Sequence, residues 1–290
     1  MQDFFKYLTP SEEDKKWGIF LNVAGRASIA ANTVYPNREH PTGYYFTWER
    51  GRELEEYQLI YITEGKGILE HQQKNWELQA GQILLIRPNE FHRYRPDPSM
   101  GWVENYIGFN GRSVRNFYQS TSFLNELPVF HYGIRASMIG QFEAIFKLVQ
   151  AEKPGFQQIA TGLILQILGN MIAHQKRGNF SDKAVEKTIQ KILLEIRAKV
   201  EEPIDLQTLA KNHHISYASF RKLFKKYTGK SPRQYHLELK LLRAKELILS
   251  TDKSMQEISR TLHFESIHYF SRFFKQKTGM SPTELRKTIQ

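Results

Sequence analysis

Two stretches of the chain place small, polar and basic side chains at helical spacing. These candidate contact residues are Ala218, Arg221, Lys222, Lys225, His268, Ser271, Arg272 and Lys275. Arg and Lys donate hydrogen bonds to guanine edges or phosphates, and Ser and His bind base edges or phosphates. Charged residues are mostly exposed in any protein, so one basic helix face is as often merely solvated. The same pattern in two places favours a surface that binds DNA.

The two stretches are copies of one another. Residues His213–Pro232 and His263–Pro282 repeat with a shift of 50 positions, and His, Ser, Phe, Phe, Lys, Thr, Gly, Ser and Pro fall in register. Self-similarity at a fixed spacing indicates a repeated structural unit. The presence of two copies predicts a paired module rather than a solenoid.

Each copy contains the signals of a helix and of its ends. In the first copy, the apolar residues at positions i, i+3 and i+4 are Phe220, Leu223 and Phe224. Ser216 is a suitable N-cap, Gly229 suits the C-terminus, and Ser231 followed by Pro starts the next helix. Shorter helices are predicted before the copies, at Leu206–Asn212 and Ser254–Leu262. Each unit is therefore predicted to be a helix-turn-helix, whose second helix enters the DNA major groove.

Two segments resemble a known family. Residues Phe224–Pro232 (FKKYTGKSP) and Tyr269–Pro282 (YFSRFFKQKTGMSP) are similar to the signature of AraC/XylS-type transcription regulators, and the resemblance extends over about residues 184 to 288. It implies that six of the residues above face DNA bases: Ala218, Arg221, Lys222, His268, Ser271 and Arg272. The family usually has an Ala and a turn Gly where Ser259 and His263 stand. A non-Gly residue at positive φ is strained, so we expect the second turn to differ in shape.

The positive charge of the chain is concentrated in the repeat. Residues 181–290 contain 22 Lys and Arg against 12 Asp and Glu, a net charge of +10. Residues 1–180 contain 19 against 18, a net charge of +1. This distribution is typical of a domain that binds a polyanion beside a neutral domain.

Composition also narrows the class of protein. The chain has no cysteine, which excludes disulfides and thiolate zinc sites. We find no apolar run of membrane-spanning length and no signal-peptide pattern at residues 1–6. These observations predict a soluble, cytoplasmic protein that has no membrane partner.

Residues Leu21–Phe109 have the pattern of short β-strands. Gln58–Ile62 reads as a buried strand, because β-branched and aromatic residues dominate it. Several short strands at regular intervals suggest a sandwich or a barrel. The order of Gly, strand, Pro, turn and His over residues 81–92 is similar to the second motif of the cupin jelly roll. Residues Tyr57–Tyr94 also look like the sugar-binding part of AraC regulators.

The resemblance implies an effector site inside this β-domain. A small barrel can hold one ligand, because side chains alternate in and out along each strand. Carried over from the family pattern, the residues near sugar-contacting positions are Arg50, His92, Tyr94, Glu104 and Tyr106. A sugar needs hydrogen-bonding groups for its hydroxyls and an aromatic face for its C–H side. The alternative is that each of the five has only a structural role.

Cupin enzymes provide a rival interpretation. They hold a metal with an H-x-H pair, a Glu and a later His, whereas this chain offers Glu70 and His71, then Gln73, and later His92. A metal needs three or four converging ligands. We therefore expect no catalytic residue, no metal and no cofactor. A metal-dependent cupin enzyme fused to a DNA-binding domain, and a regulator with a purely structural cupin domain, stay open as alternatives.

Residues 112–180 change to a helical pattern. One apolar stripe comprises Met138, Phe142, Ile145, Phe146 and Val149. A second comprises Ile159, Leu163, Ile164, Ile167, Leu168, Met171 and Ile172. Such helices usually pack on the β-domain, and the resemblance suggests that part of their surface forms a homodimer. A linker is predicted at Gly178–Ser181, with Asp182 capping the next helix, and Gln234–Leu249 is predicted to join the two helix-turn-helix units as a stiff helix.

The expected fold class is α+β. An N-terminal cupin-like β-barrel (jelly roll) with two packing helices precedes an all-α domain of two helix-turn-helix units joined by a long helix. The expected divisions are 1–115 for the cupin-like effector-binding domain, 116–180 for a helical dimerisation and linker region, and 181–290 for the AraC-type DNA-binding domain. The expected function is a ligand-responsive, sequence-specific transcription regulator. Its expected partners are double-stranded DNA, a carbohydrate effector, a second copy of the chain and RNA polymerase.

Overall fold

The computed structural model describes residues 3–36, 44–121, 128–178 and 183–288. The chain divides into two compact units after Gln175, a sheet with covering helices and a unit built from helices. This order of a sheet-rich domain followed by a helical region confirms the expected fold class. Linker residues 179–181 and the predicted cap Asp182 lie outside the described residues. The three-part division of the chain stays a prediction.

The first unit contains eight described strands. Its elements begin with β1 (Phe4–Tyr7), α1 (Glu12–Trp17), β2 (Phe20–Ile29), β3 (Tyr57–His71), β4 (Lys74–Gln79), β5 (Gln82–Ile86), β6 (His92–Pro96) and β7 (Trp102–Asn110). They continue with α2 (Arg112–Ser120), β8 (Val129–His131), α3 (Ala136–Ala151) and α4 (Phe156–Gly178). The first part of β3 pairs antiparallel with β7 and β5, and its last part pairs antiparallel with β4 and β6. Gly65, where β3 changes partners, has a φ of 80°, and a Cβ there would lie 2.0 Å from the Gly101 carbonyl oxygen.

The sequence predicted a cupin-like β-barrel (jelly roll), and the sheet of this domain is not closed. The described strands follow the order β1-β2-β7-β3-β5-β8, with β4 and β6 attached to β3. Closure would require the two edges to pair, but β1 has four residues and β8 has three, and each pairs with one described neighbour. Helices α3 and α4 cover one face of the sheet.

Both faces of the sheet are buried, and the alternation of side chains along β3 separates them. Leu59 and Tyr61 belong to the apolar cluster that contains the buried residues of α3 and α4. Ile60 and Ile62 belong to a second cluster on the opposite face. This second face carries the polar and aromatic cavity described below.

Helix α3 is buried along the predicted stripe, since Met138, Phe142, Ile145, Phe146 and Val149 are all buried. In α4 the prediction is only partly right. Ile164, Ile167, Leu168 and Met171 are buried, whereas Ile159 is 59% exposed. Leu165, outside the predicted stripe, is 44% exposed. Within the described residues, α4 is the one helix long and apolar enough to cross a membrane by length and composition. Because its buried face is part of the core beneath the sheet, this does not indicate a membrane protein.

The second unit is built from short helices around one long helix. In chain order they are α5 (Lys183–Ala198), α6 (Leu206–Asn212), α7 (Tyr217–Thr228), α8 (Pro232–Ser250), α9 (Met255–Thr261), α10 (Ile267–Thr278) and α11 (Pro282–Lys287). The predicted caps form: Ser216 Oγ accepts from the Ser219 amide at 3.2 Å, and Ser231 forms a capping box with Gln234. Gly229 ends α7 with a φ of 80°. Local sequence signals therefore place these helices correctly.

The two helix-turn-helix units have separate apolar cores. Phe220 and Phe224 of α7 belong to one cluster, and Phe270 and Phe274 of α10 belong to another. Helix α8 spans both, because its first half packs on the first core and its second half contributes residues such as Leu247 to the second.

Candidate functional site

The polar face of α7 lies opposite its buried aromatic stripe. Phe220 and Phe224 have no exposed surface. The predicted contact residues of this helix are all exposed: Ala218, Arg221, Lys222 and Lys225. The guanidinium of Arg221 lies 5.9 Å from the centre of the Tyr217 ring. The helix thus presents one small and three basic side chains to the solvent.

Helix α10 repeats this arrangement. His268, Arg272 and Lys275 are exposed, and Ser271 is half-buried. Phe270 and Phe274 fill the core on the opposite side. The ion pairs between described residues of the helical unit do not involve Arg221, Arg272 or the lysines of the two predicted faces. These cations are therefore available for phosphates and base edges.

The turns of the two helix-turn-helix units have the same conformation, but the second turn is one residue longer. His214 in the first turn and His263 in the second have φ values of 55° and 50°. The Ala210 carbonyl accepts from the Ile215 amide at 3.1 Å, and the Ser259 carbonyl accepts from the Phe264 amide at 3.0 Å. The second turn has one more residue, Glu265, before its helix cap. The expected difference in shape is therefore an insertion after the left-handed residue.

A cavity of about 20 Å³, room for one water molecule, lies on the sheet face opposite α3 and α4. Most of its wall is aromatic or polar. The lining residues are Tyr7, Val23, Tyr35, Pro36, Tyr44, Phe46, Arg52, Gln58, Tyr94, Glu104 and Tyr106.

Arg52 is the basic group of this cavity. Its Nη2 donates to Tyr94 Oη at 2.7 Å, its Nη1 donates to the Tyr44 carbonyl at 2.7 Å, and its Nε donates to His92 Nε2 at 3.2 Å. The guanidinium also lies 4.7 Å from the centre of the Phe46 ring. These contacts hold the charge of Arg52 at one place in the wall.

Glu104 and Tyr106 are the acidic and hydroxyl groups of the cavity. Glu104 is 4% exposed, and its carboxylate accepts from Tyr35 Oη at 3.3 Å. Burial raises the pKa of Glu104 to about 7, although the charge of Arg52 opposes this shift. The buried Tyr106 Oη has no hydrogen-bond partner among the described residues. The cavity therefore combines a cation, a weak acid and an unpaired hydroxyl with aromatic rings.

Two family models match the chain. Residues 33–168 match the AraC-like ligand binding domain, and residues 209–288 match a helix-turn-helix domain. The chain belongs to the AraC family of transcription regulators. This AraC-family protein therefore has a DNA-binding domain and a ligand-binding domain, with DNA and a small molecule as partners.

Several relatives match this AraC-family protein over most of both chains, and their names describe regulators. The Msm operon regulatory protein of Streptococcus mutans is 28% identical, over 81% of this chain and 85% of that protein. The lactose operon transcription activator of Staphylococcus xylosus is 25% identical, over 79% of this chain and 82% of that protein. The arabinose operon regulatory protein of Escherichia coli K12 is 23% identical, over 91% of this chain and 88% of that protein. Their names describe transcription regulators rather than enzymes.

The AraC-type cavity gathers three of the five residues predicted for the effector, namely Tyr94, Glu104 and Tyr106. His92 is fully buried behind Arg52 and does not line the cavity. Arg50 is exposed on a turn and is not brought to the cavity. Sequence reasoning missed Arg52, which forms an isolated antiparallel bridge with His92. Arg50 lies in a turn and Arg52 in the bridge that follows it, and the family pattern does not distinguish two cations so close in the sequence.

The described residues contain no group of three His, Cys, Asp or Glu side chains that could hold a metal. His71 Nε2 lies 2.9 Å from Glu90 Oε2, and Arg87 pairs with the same carboxylate. His92 Nε2 accepts from Arg52. The donor atoms that a cupin metal would need are thus already used by protein groups.

Proposed function

We propose that this protein is a transcription regulator whose effector is a sugar or a sugar derivative, bound at the Arg52–Glu104 cavity. The names of two relatives, regulators of lactose and arabinose operons, support a carbohydrate. The chemistry of the wall supports it independently.

One observation carries the proposal: Arg52, Glu104 and Tyr106 line one aromatic cavity, and Tyr106 Oη has no hydrogen-bond partner among the described residues. A sugar hydroxyl both donates and accepts hydrogen bonds. It would donate to the Glu104 carboxylate and accept from Tyr106 Oη, while aromatic rings cover the C–H side of the sugar ring. A purely apolar ligand would leave the buried Tyr106 Oη without a partner, which is costly.

The cavity has to enlarge before an effector can enter. It holds about 20 Å³, whereas ligand pockets usually measure about 300 to 1,000 Å³. Tyr35 and Tyr44 are partly exposed members of its wall, and Tyr35 holds Glu104 by a hydrogen bond. An effector that replaced this bond would favour an open arrangement of the wall over the closed one. Such a difference in affinity between two states is what a regulator needs.

For DNA recognition we propose that α7 and α10 enter two successive major grooves, about 34 Å apart. The base-facing residues are Ala218, Arg221, Lys222, His268, Ser271 and Arg272. Lys225 and Lys275 lie one turn further along the helices and hold phosphates. DNA as the target implies that the protein acts in the cytoplasm, where RNA polymerase is a further partner.

For assembly we propose a homodimer formed through the exposed side of α4. Ile159 and Leu165 are 59% and 44% exposed on this helix. Gly162 and Gly169 have open space where a Cβ would stand. Small residues beside apolar ones allow a second helix to approach closely.

The effector proposal is tested by thermal unfolding of the full chain against a panel of sugars. A bound sugar stabilises the folded state by mass action, so the transition should rise with sugar concentration. Arg52→Met should abolish the shift. Arg50→Met is the matched control, since Arg50 is exposed and not at the cavity.

A regulator with a structural β-domain is the second candidate, and the small volume of the cavity favours it. Absence of any sugar-dependent shift in the wild-type protein, together with unchanged DNA affinity in the presence of sugars, would support this reading. Stoichiometric metal in the purified protein would instead support the cupin-enzyme reading.

A further inference from the structure

The relative position of the two helix-turn-helix units is not fixed by a shared apolar core. The first core and the second core have no residue in common within the described part of the chain. An open groove of about 600 Å³ separates them, and it is lined by residues of both units, including Tyr217 and Tyr269 near the starts of α7 and α10. The two helix-turn-helix units are therefore held in place by the stiff helix α8 and by contacts outside their apolar cores.

A set of polar contacts lies at this boundary. His263 Nε2 donates to the Glu201 carbonyl at 3.1 Å, and the Lys240 ammonium donates to the His263 carbonyl at 3.1 Å. The Glu201 carboxylate accepts from Arg243 Nε. We call these four residues the His263 clasp. It connects the segment before α6, the joining helix α8 and the turn of the second helix-turn-helix unit.

Lys240 is an unusual part of the clasp. It is 8% exposed, and its ammonium lies 5.4 Å from the centre of the Phe264 ring. Burying a lysine is costly unless its charge finds partners. The His263 carbonyl and the Phe264 ring supply them, and both belong to the turn of the second unit. The burial of Lys240 therefore depends on the position of the second helix-turn-helix unit.

His263 and His214 share a strained backbone conformation but differ in their side-chain contacts. Both are non-Gly residues in the left-handed region, a conformation that Gly adopts without strain. The His214 side chain is exposed and forms no hydrogen bond with another described residue. In His263, both the imidazole and the carbonyl bond to other elements. A histidine at this place thus supplies a contact that a glycine could not.

We propose that the His263 clasp fixes the separation and angle of α7 and α10, and so makes the protein selective for the spacing of two half-sites in one operator. This rests on the proposed function in one respect, namely that both helices dock on one duplex. Each inserted base pair moves the second half-site by about 3.4 Å along the axis and turns it by about 35°. A rigid pair of modules meets one spacing at high effective concentration, whereas a loosened pair is spread over several.

The test compares His263→Gly with His214→Gly. Both changes remove a left-handed histidine, and only the first removes a clasp contact. Operators are first selected from random DNA with the wild-type full chain. Affinities are then measured for that operator and for versions with one base pair added or removed between the half-sites.

We expect His263→Gly to weaken binding at the selected spacing by about three- to tenfold, the effect of one hydrogen bond, and to reduce discrimination against the altered spacings. Lys240→Met should change spacing preference in the same direction. His214→Gly should leave both quantities unchanged. Thermal unfolding of each variant checks that it is folded.

If a folded His263→Gly protein discriminated between half-site spacings as well as the wild-type protein does, the inference would be overturned and the proposed function would stay intact. Footprints of the wild-type protein that cover a single major groove would overturn the docking of both helices, and the spacing inference with it. The two failures are therefore distinguishable.

Discussion

Arg52 Nε lies 3.2 Å from His92 Nε2, and this contact joins the cavity wall to the interior of the sheet. His92 Nδ1 donates to the Glu90 carbonyl at 2.9 Å, so Nε2 is left as the acceptor. Burial, together with the nearby charge of Arg52, lowers the pKa of His92 to about 3, which keeps the imidazole neutral at ordinary pH. His92 therefore positions Arg52 rather than lining the cavity itself.

This relationship gives the first prediction. His92→Phe should keep the ring beside Tyr94 but leave Arg52 Nε without its acceptor. The expected loss in the free energy of unfolding is about 1 to 3 kcal/mol, measured by denaturant titration. The double variant His92→Phe with Arg52→Met should lose less stability than the sum of the two single-variant losses, because both changes remove the same contact. Additive losses would mean that the two side chains act independently.

The second prediction concerns base reading by Arg221. Arg221→Ala should cost about 1 to 3 kcal/mol of operator binding and relax specificity at one base pair. Lys191→Ala, an exposed cation on α5, is the control and should change operator affinity little. Binding to operator and to random DNA is measured at one salt concentration. An equal loss on both DNAs would assign Arg221 to a phosphate.

The third prediction is a pH dependence from Glu104. Its pKa is raised to about 7 in the folded protein from an ordinary value of 4.5, so the folded state holds the proton more tightly than the unfolded state. The contribution of this group to stability is therefore full below pH 4.5 and declines as pH rises towards 7. The loss is about 3 kcal/mol at most.

Glu104→Gln removes this titration and isolates it from those of Glu56, Glu90 and His92, which also have shifted pKa values. Relative to Glu104→Gln, the wild-type protein should become less stable as pH rises from about 4.5 to 7, measured by unfolding at several pH values. A constant difference between the two proteins across this range would contradict the prediction.

The fourth prediction concerns assembly. Leu165→Lys places a charge on the exposed side of α4 and should shift the protein from dimer to monomer, as measured by sedimentation. Gln150→Lys, at an exposed position of α3, is the control and should leave the assembly unchanged. A dimer that persists in Leu165→Lys would place the interface elsewhere.

Elements set by neighbouring residues could be predicted, whereas contacts between distant ones could not. Ser216, Ser231 and Gly229 act within one helical turn, so the ends of α7 and α8 follow from the sequence. The departure from the family at His263 was visible, but its bond to Glu201 spans 62 positions and depends on how the second unit packs. The family pattern points to Arg50 and not to Arg52, because it does not report which side of a turn faces the sheet.

The sequence by itself determined the paired helix-turn-helix units, the basic charge of their domain and the two apolar helices, because these depend on periodicity, capping and composition. Only the tertiary structure decided that the sheet stays open, that Arg52 stands in the cavity, and that His263 joins two units. The physical reason is that pairing of strand edges and burial of polar groups depend on contacts between residues far apart in the chain.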